Sequence, residues 1–176
     1  MTLSMIWKET GPVWARSPPR RNPPPPNPNT PAVIYPVQAP HILATHTFSN
    51  TPKLDILLVP GGMGLRPLDD EGDTAIEDFI ASRFDELQYM LSVCTGAASL
   101  AKSGVLKGRR ATTNKAAWDW ATQFGGGEVK WVPTARWVED GKVWTSSGVS
   151  AGELFSIRSP DRQSGLLIMA RMQELT

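Results

Sequence analysis

The chain has 176 residues but one cysteine and two histidines. A lone Cys94 forms no internal disulfide and builds no cysteine-rich metal centre, while His41 and His46 lack the carboxylate company that a metal site needs. Neither a metal nor a cofactor is therefore expected. No apolar run approaches the ~18 residues of a membrane span, and the first residues hold no uninterrupted hydrophobic stretch of the secretory kind. With 18 basic against 17 acidic residues the net charge is +1, too weak a field to draw the chain to nucleic acid or to an acidic membrane. These absences leave a reducing, cytoplasmic compartment as the default.

Proline, by contrast, is in excess. Eleven of the 16 prolines fall between Pro12 and Pro40, in a stretch that includes Arg-Asn-Pro-Pro-Pro-Pro-Asn-Pro-Asn at 21–29. Such a run supports neither a helix nor a central strand, so residues 1–40 read as a Pro-rich disordered tail. The globular part is expected over residues 41–152, followed by an atypical segment at 153–176.

Within the globular part, strand-like and helix-like patterns alternate. Leu54–Val59 is a short apolar run closed by Pro60-Gly61-Gly62, which suits a strand buried on both faces. Asp73 can cap a helix whose apolar face carries Ala75, Ile76, Phe79 and Ile80. Leu87–Val93 is a second strand, and Cys94 to Ala101 continues into a helix of small residues, with Gly104 at its C-cap. Arg110–Thr113 reads as a brief strand and Lys115–Phe124 as a further helix. Glu139-Asp140-Gly141 then turns a hairpin between Arg136–Val138 and Lys142–Thr145. The alternation predicts an α/β domain with a mostly parallel sheet and a small β excursion near its end.

In an open α/β sheet, functional groups gather in the turns after the carboxyl ends of strands, which selects Gly61-Gly62 and Cys94-Thr95-Gly96. A cysteine between a buried strand and a helix of small residues occupies a nucleophile-elbow position, where a sharp turn lifts the sulfur out of the core. The helix N-terminus behind it favours thiolate over thiol. The N–H groups of Thr95, Gly61 and Gly62 could converge as an oxyanion hole. A single cysteine is also among the residues most often buried and inert, and each histidine suits a surface or strand-edge position better than a catalytic one. The seven tryptophans read as core or interface because no basic patch accompanies them, and Gly125-Gly126-Gly127 reads as a loop.

Four ordered motifs carry a resemblance beyond spacing. Leu-Asp-Ile-Leu-Leu-Val-Pro-Gly-Gly at 54–62, Val-Cys-Thr-Gly-Ala at 93–97, Gly-Val-Leu-Lys-Gly-Arg-Arg-Ala-Thr-Thr at 104–113 and the run 136–152 resemble the ThiJ/PfpI superfamily. This is the glutamine-amidotransferase-like group. The likeness is greatest to its isonitrile-hydratase-like branch, particularly fungal proteins with Ala-Thr-Thr-Asn-Lys-Ala-Ala. The resemblance implies an incomplete flavodoxin-like three-layer sandwich, Cys94 as the nucleophile with Thr95 beside it, and Gly61 and Gly62 at the oxyanion site. It implies a small-molecule electrophile as partner, an isonitrile hydrated to an N-substituted formamide, and it allows a homo-oligomer.

Departures from the family pattern set the rival reading. Many relatives carry histidine where this chain has Asn114, which can hydrogen-bond a substrate but takes no proton at neutral pH. Relatives begin with a strand and turn bearing an acidic residue, and the Pro-rich stretch stands in that place. Their long apolar helix after Ala151-Gly152 is interrupted here by Pro160. A weakened hydratase and a non-catalytic, redox-sensitive thiol protein are the two expectations.

Overall fold

The structure, a computed structural model, describes residues 3–14, 41–148 and 151. The chain opens with Ile6–Trp7 (β1) and Gly11–Trp14 (β2), then resumes with His41–Ala44 (β3) and His46–Thr47 (β4). β1 runs parallel to β4, and β2 antiparallel to β3 with Trp14 opposite His41. Residues 3–14 thus depart from the tail expected over 1–40. Composition averaged across that span hides the apolar Ile6, Trp7, Val13 and Trp14, and Ile6 packs against the main core. Pro12 is tolerated because a two-stranded ribbon has no central strand whose ladder it could break. The polyproline run and residues 152–176 lie outside the described residues, so the readings placed on them have no structural counterpart here.

The main sheet is built from Ile56–Val59 (β5), Tyr89–Val93 (β6), Trp137–Asp140 (β9) and Val143–Ser146 (β10), in the order β5-β6-β10-β9. β5, β6 and β10 are parallel, and β9 returns antiparallel through the expected turn, whose Gly141 sits at φ 61°. Between these strands come helices Leu65–Asp70 (α1) and Ala75–Arg83 (α2), a 3-10 turn at Phe84–Glu86, and helix Gly96–Lys102 (α3). Arg110–Ala111 (β7) pairs in parallel with Lys130–Trp131 (β8), and Trp118–Thr122 (α4) lies between them. The fold is α/β with parallel-rich sheets, of the flavodoxin-like kind.

Local chemistry explains the boundaries. Asp73 Oδ1 accepts the Ala75 N–H at 3.1 Å, closing the first turn of α2, and Gly104 takes φ 84° while its N–H reaches Ala101 O at the end of α3. β7 is shorter than the expected strand because the Thr112 N–H turns to Thr145 Oγ1 instead of a ladder partner. The α2 and α3 side of the sheet buries Leu57, Val59, Met90 and Val143 against Phe79, Ile80 and Leu100. Each such side chain removed from water contributes about 1.5–3 kcal/mol. Among the described residues, no helix is long and apolar enough to cross a membrane.

Candidate functional site

Parallel pairing of β5 with β6 places Val59 beside Ser92, so the turns that follow both strands emerge at one end of the sheet. Pro60-Gly61-Gly62 and Cys94-Thr95-Gly96 meet there. Cys94 has φ 57°, the one positive value among the described non-glycine residues. For an L-residue that conformation costs on the order of 1–2 kcal/mol, so it persists only where neighbours hold it. Two hydrogen bonds do so: the Cys94 N–H donates to Ser146 O at 2.9 Å, and Cys94 O accepts from Thr113 Oγ1 at 3.0 Å. The result is a reversal from strand to helix within one residue. The thiol is free and half-buried, packed beside Val93 and Trp144.

The two turns are in direct contact. A Cβ on Gly61 would lie 2.6 Å from Thr95 N and 2.8 Å from Cys94 Cβ, and one on Gly96 would lie 2.3 Å from Val59 O. Only glycine permits this approach of backbone to backbone. Thr95, buried at the start of α3, does not cap the helix with its side chain. Its Oγ1 instead accepts the Gly62 N–H at 2.9 Å. That corrects one expectation: the Gly62 donor is spent inside the protein because a hydroxyl acceptor sits against it. Among the described residues, no hydrogen bond engages the N–H groups of Gly61 or Thr95.

Asn114 is near the same end but is occupied. Its Oδ1 accepts the Ala117 N–H at 3.0 Å and its Nδ2 donates to Ser147 O at 3.4 Å, so both ends of the amide fix loops. The next residue was not anticipated. Lys115 Nζ donates to Thr112 Oγ1 at 2.7 Å and lies 4.6 Å from the centre of the Trp118 ring. Desolvation of its ammonium lowers the Lys115 pKa from the ordinary 10.5. Thr113 is fully buried, and a hydroxyl that reaches a carbonyl 19 residues away leaves no periodic trace in the sequence. His41 and His46 lie in β3 and β4, outside the four-stranded sheet, and His46 Nδ1 pairs with Thr45 Oγ1 at 2.9 Å.

Residues 37–159 match the model of the DJ-1/PfpI family. The chain belongs to that family. Among curated relatives of this DJ-1/PfpI protein, the isonitrile hydratase of Pseudomonas putida is 41% identical over 113 residues, which cover 64% of this chain and 47% of the hydratase. The chain therefore spans about half the length of that relative. A crystal structure of a ThiJ/PfpI family protein from Pseudomonas syringae is 32% identical, covers 76% of this chain and 50% of its own, and superposes with a TM-score of 0.53. A ThiJ/PfpI domain protein from Brachyspira murdochii, only 13% identical, covers 98% of this chain and 80% of its own at a TM-score of 0.61, a likeness of fold alone. The family resemblance read from the motifs holds. These relatives are bacterial, whereas the motif at 111–117 pointed to fungal ones.

Proposed function

We propose that this DJ-1/PfpI protein is a cysteine-dependent hydratase of the isonitrile-hydratase type, with weakened turnover. The observation that carries the reading is the half-buried, free Cys94 held at positive φ between β6 and α3, beside the Gly61 and Thr95 N–H groups. The identity shared with the Pseudomonas putida hydratase supports the choice of substrate class.

In this reading the Cys94 thiolate bonds to the terminal carbon of an isonitrile, and that carbon takes up a proton to give a thioformimidate. Water then adds across the carbon–nitrogen double bond. The carbon–sulfur bond breaks, thiolate departs, and an N-substituted formamide leaves, so the net change is addition of one water. The two backbone donors stabilise negative charge developing at the adduct. Protons are the weak link. Asn114 is bound at both ends, and among the described residues no group hydrogen-bonds Cys94 Sγ. Missing acid–base help costs on the order of 10²–10⁴ in rate.

The test compares wild type with Cys94→Ser on a small alkyl isonitrile, following formamide by chromatography, alongside iodoacetamide labelling. Slow product formation that falls to background in the variant is the expected result. Labelling of Cys94 without any formamide would replace the hydratase with the redox-sensitive thiol protein. Fast turnover would overturn the claim of weakness, and a thiol that resists the label would return Cys94 to an inert structural role.

A further inference from the structure

The strained elbow raises a question that the reaction scheme leaves open: what keeps Cys94 in a conformation its own backbone disfavours. Three consecutive residues after β7 stitch that segment to the carboxyl end of the sheet. The Thr112 N–H donates to Thr145 Oγ1 at 2.9 Å, Thr113 Oγ1 donates to Cys94 O at 3.0 Å, and Asn114 Nδ2 donates to Ser147 O at 3.4 Å. Thr112, Thr113, Thr145 and Ser146 are all fully buried, while Asn114 and Ser147 are half-buried, so the Thr113 hydroxyl itself is shielded from water. The Cys94 N–H is meanwhile fixed to Ser146 O. The residue is thus pinned on both sides: one bond uses β10 backbone, and the other depends on a single side chain.

We propose that Thr113 is a positioning residue for Cys94, its hydroxyl holding the Cys94 carbonyl so that the left-handed turn, and with it the aim of the thiol, is maintained. The inference rests on the reading of Cys94 as the reacting group. Thr113 touches neither thiol nor substrate in this scheme. A net hydrogen bond of this kind corresponds to roughly tenfold in an equilibrium, comparable with the penalty of the turn it opposes. Loss of the hydroxyl therefore lets the elbow relax toward negative φ and swing the sulfur away from the Gly61 and Thr95 donors.

The experiment uses Thr113→Val, which keeps the volume and removes the hydroxyl, and Thr113→Ser, which keeps the hydroxyl. For each, the rate of Cys94 alkylation by iodoacetamide across pH, kcat and KM with the isonitrile, and the melting temperature are measured. Thr113→Val is expected to alkylate about tenfold more slowly and to lose kcat by a similar factor at unchanged KM, with Thr113→Ser restoring both. A merely structural role would lower the melting temperature of Thr113→Val while leaving the alkylation rate of folded protein at the wild-type value. That outcome overturns the proposal, as does failure of serine to rescue. Should Thr113→Val not fold, Thr113→Ala, which leaves space beside the carbonyl, carries the same comparison with Thr113→Ser. If wild type yields no formamide the hydratase reading falls alone, because alkylation still reports whether Thr113 aims the thiol.

Discussion

The two faces of the four-stranded sheet are packed differently. Toward α2 and α3 lies a continuous cluster in which Met90, Leu100 and Val143 are completely buried. On the other face, among the described residues, Val93 and Trp144 are the buried hydrophobics, and Leu58, Tyr89, Leu91, Cys94 and Trp137 are partly buried around them. Tyr89 and Trp144 meet there edge to face at 5.8 Å, a contact of orientation more than of close packing. Burial is therefore shared unequally between the two faces. Among the described residues the face toward α2 and α3 carries the larger cluster, and Cys94 packs with the smaller one.

Substitutions on each face put that division at risk. Leu100→Ala opens a cavity in the dense cluster and should cost about 3 kcal/mol in urea unfolding, within the range for buried leucines. Leu91→Ala deletes the same atoms from the opposite face, where the side chain is only half-buried, and should cost about 1 kcal/mol. Equal losses in the two variants would show that the faces are packed alike and would break the comparison.

A smaller effect sharpens it at the rim of the dense face. Lys102 Nζ lies 2.9 Å from Asp69 Oδ1 and 3.5 Å from Glu77 Oε1. Burial pulls its pKa down, but the hydrogen bond to Asp69 and the charges of Glu77 and Asp69 outweigh that, and the net direction is upward from 10.5. A raised folded-state value means the stabilisation is fully present below 10.5 and is lost as pH rises through the higher folded value. Lys102→Met should therefore cost about 0.5 kcal/mol at neutral pH, after allowance for solvent screening. The gap from wild type should close in alkaline unfolding series. A gap that persists there would mean the side chain contributes through its methylenes and not through charge.

Much of this architecture is legible in the sequence, for identifiable reasons. β5, β6 and α2 follow from apolar runs of fixed period, and the β9–β10 hairpin from a glycine that its turn requires at positive φ. α1 escapes such reading because Pro67 lies inside it. Proline is tolerated there since the first turn of a helix has no internal partner for its N–H groups. The approach of Gly61 to Cys94 is inferable from topology alone, because parallel neighbours end on the same side. What no pattern foretells is how single polar atoms are spent. Gly62 gives its N–H to Thr95, Asn114 is consumed by two loops, and Thr113 reaches back to Cys94. These partners are distant in sequence and depend on side-chain reach, which has no period.

The pairing of β2 with β3 bears on how distant parts of the chain are brought together. Trp14 and His41 are backbone register partners across the ribbon, which holds these two positions together. For a flexible connection in general, the entropy of bringing the ends together grows only with the logarithm of length, about 0.6 kcal/mol per doubling. The β2–β3 pairing therefore sets how near residues 14 and 41 come to one another, however many residues separate them along the chain.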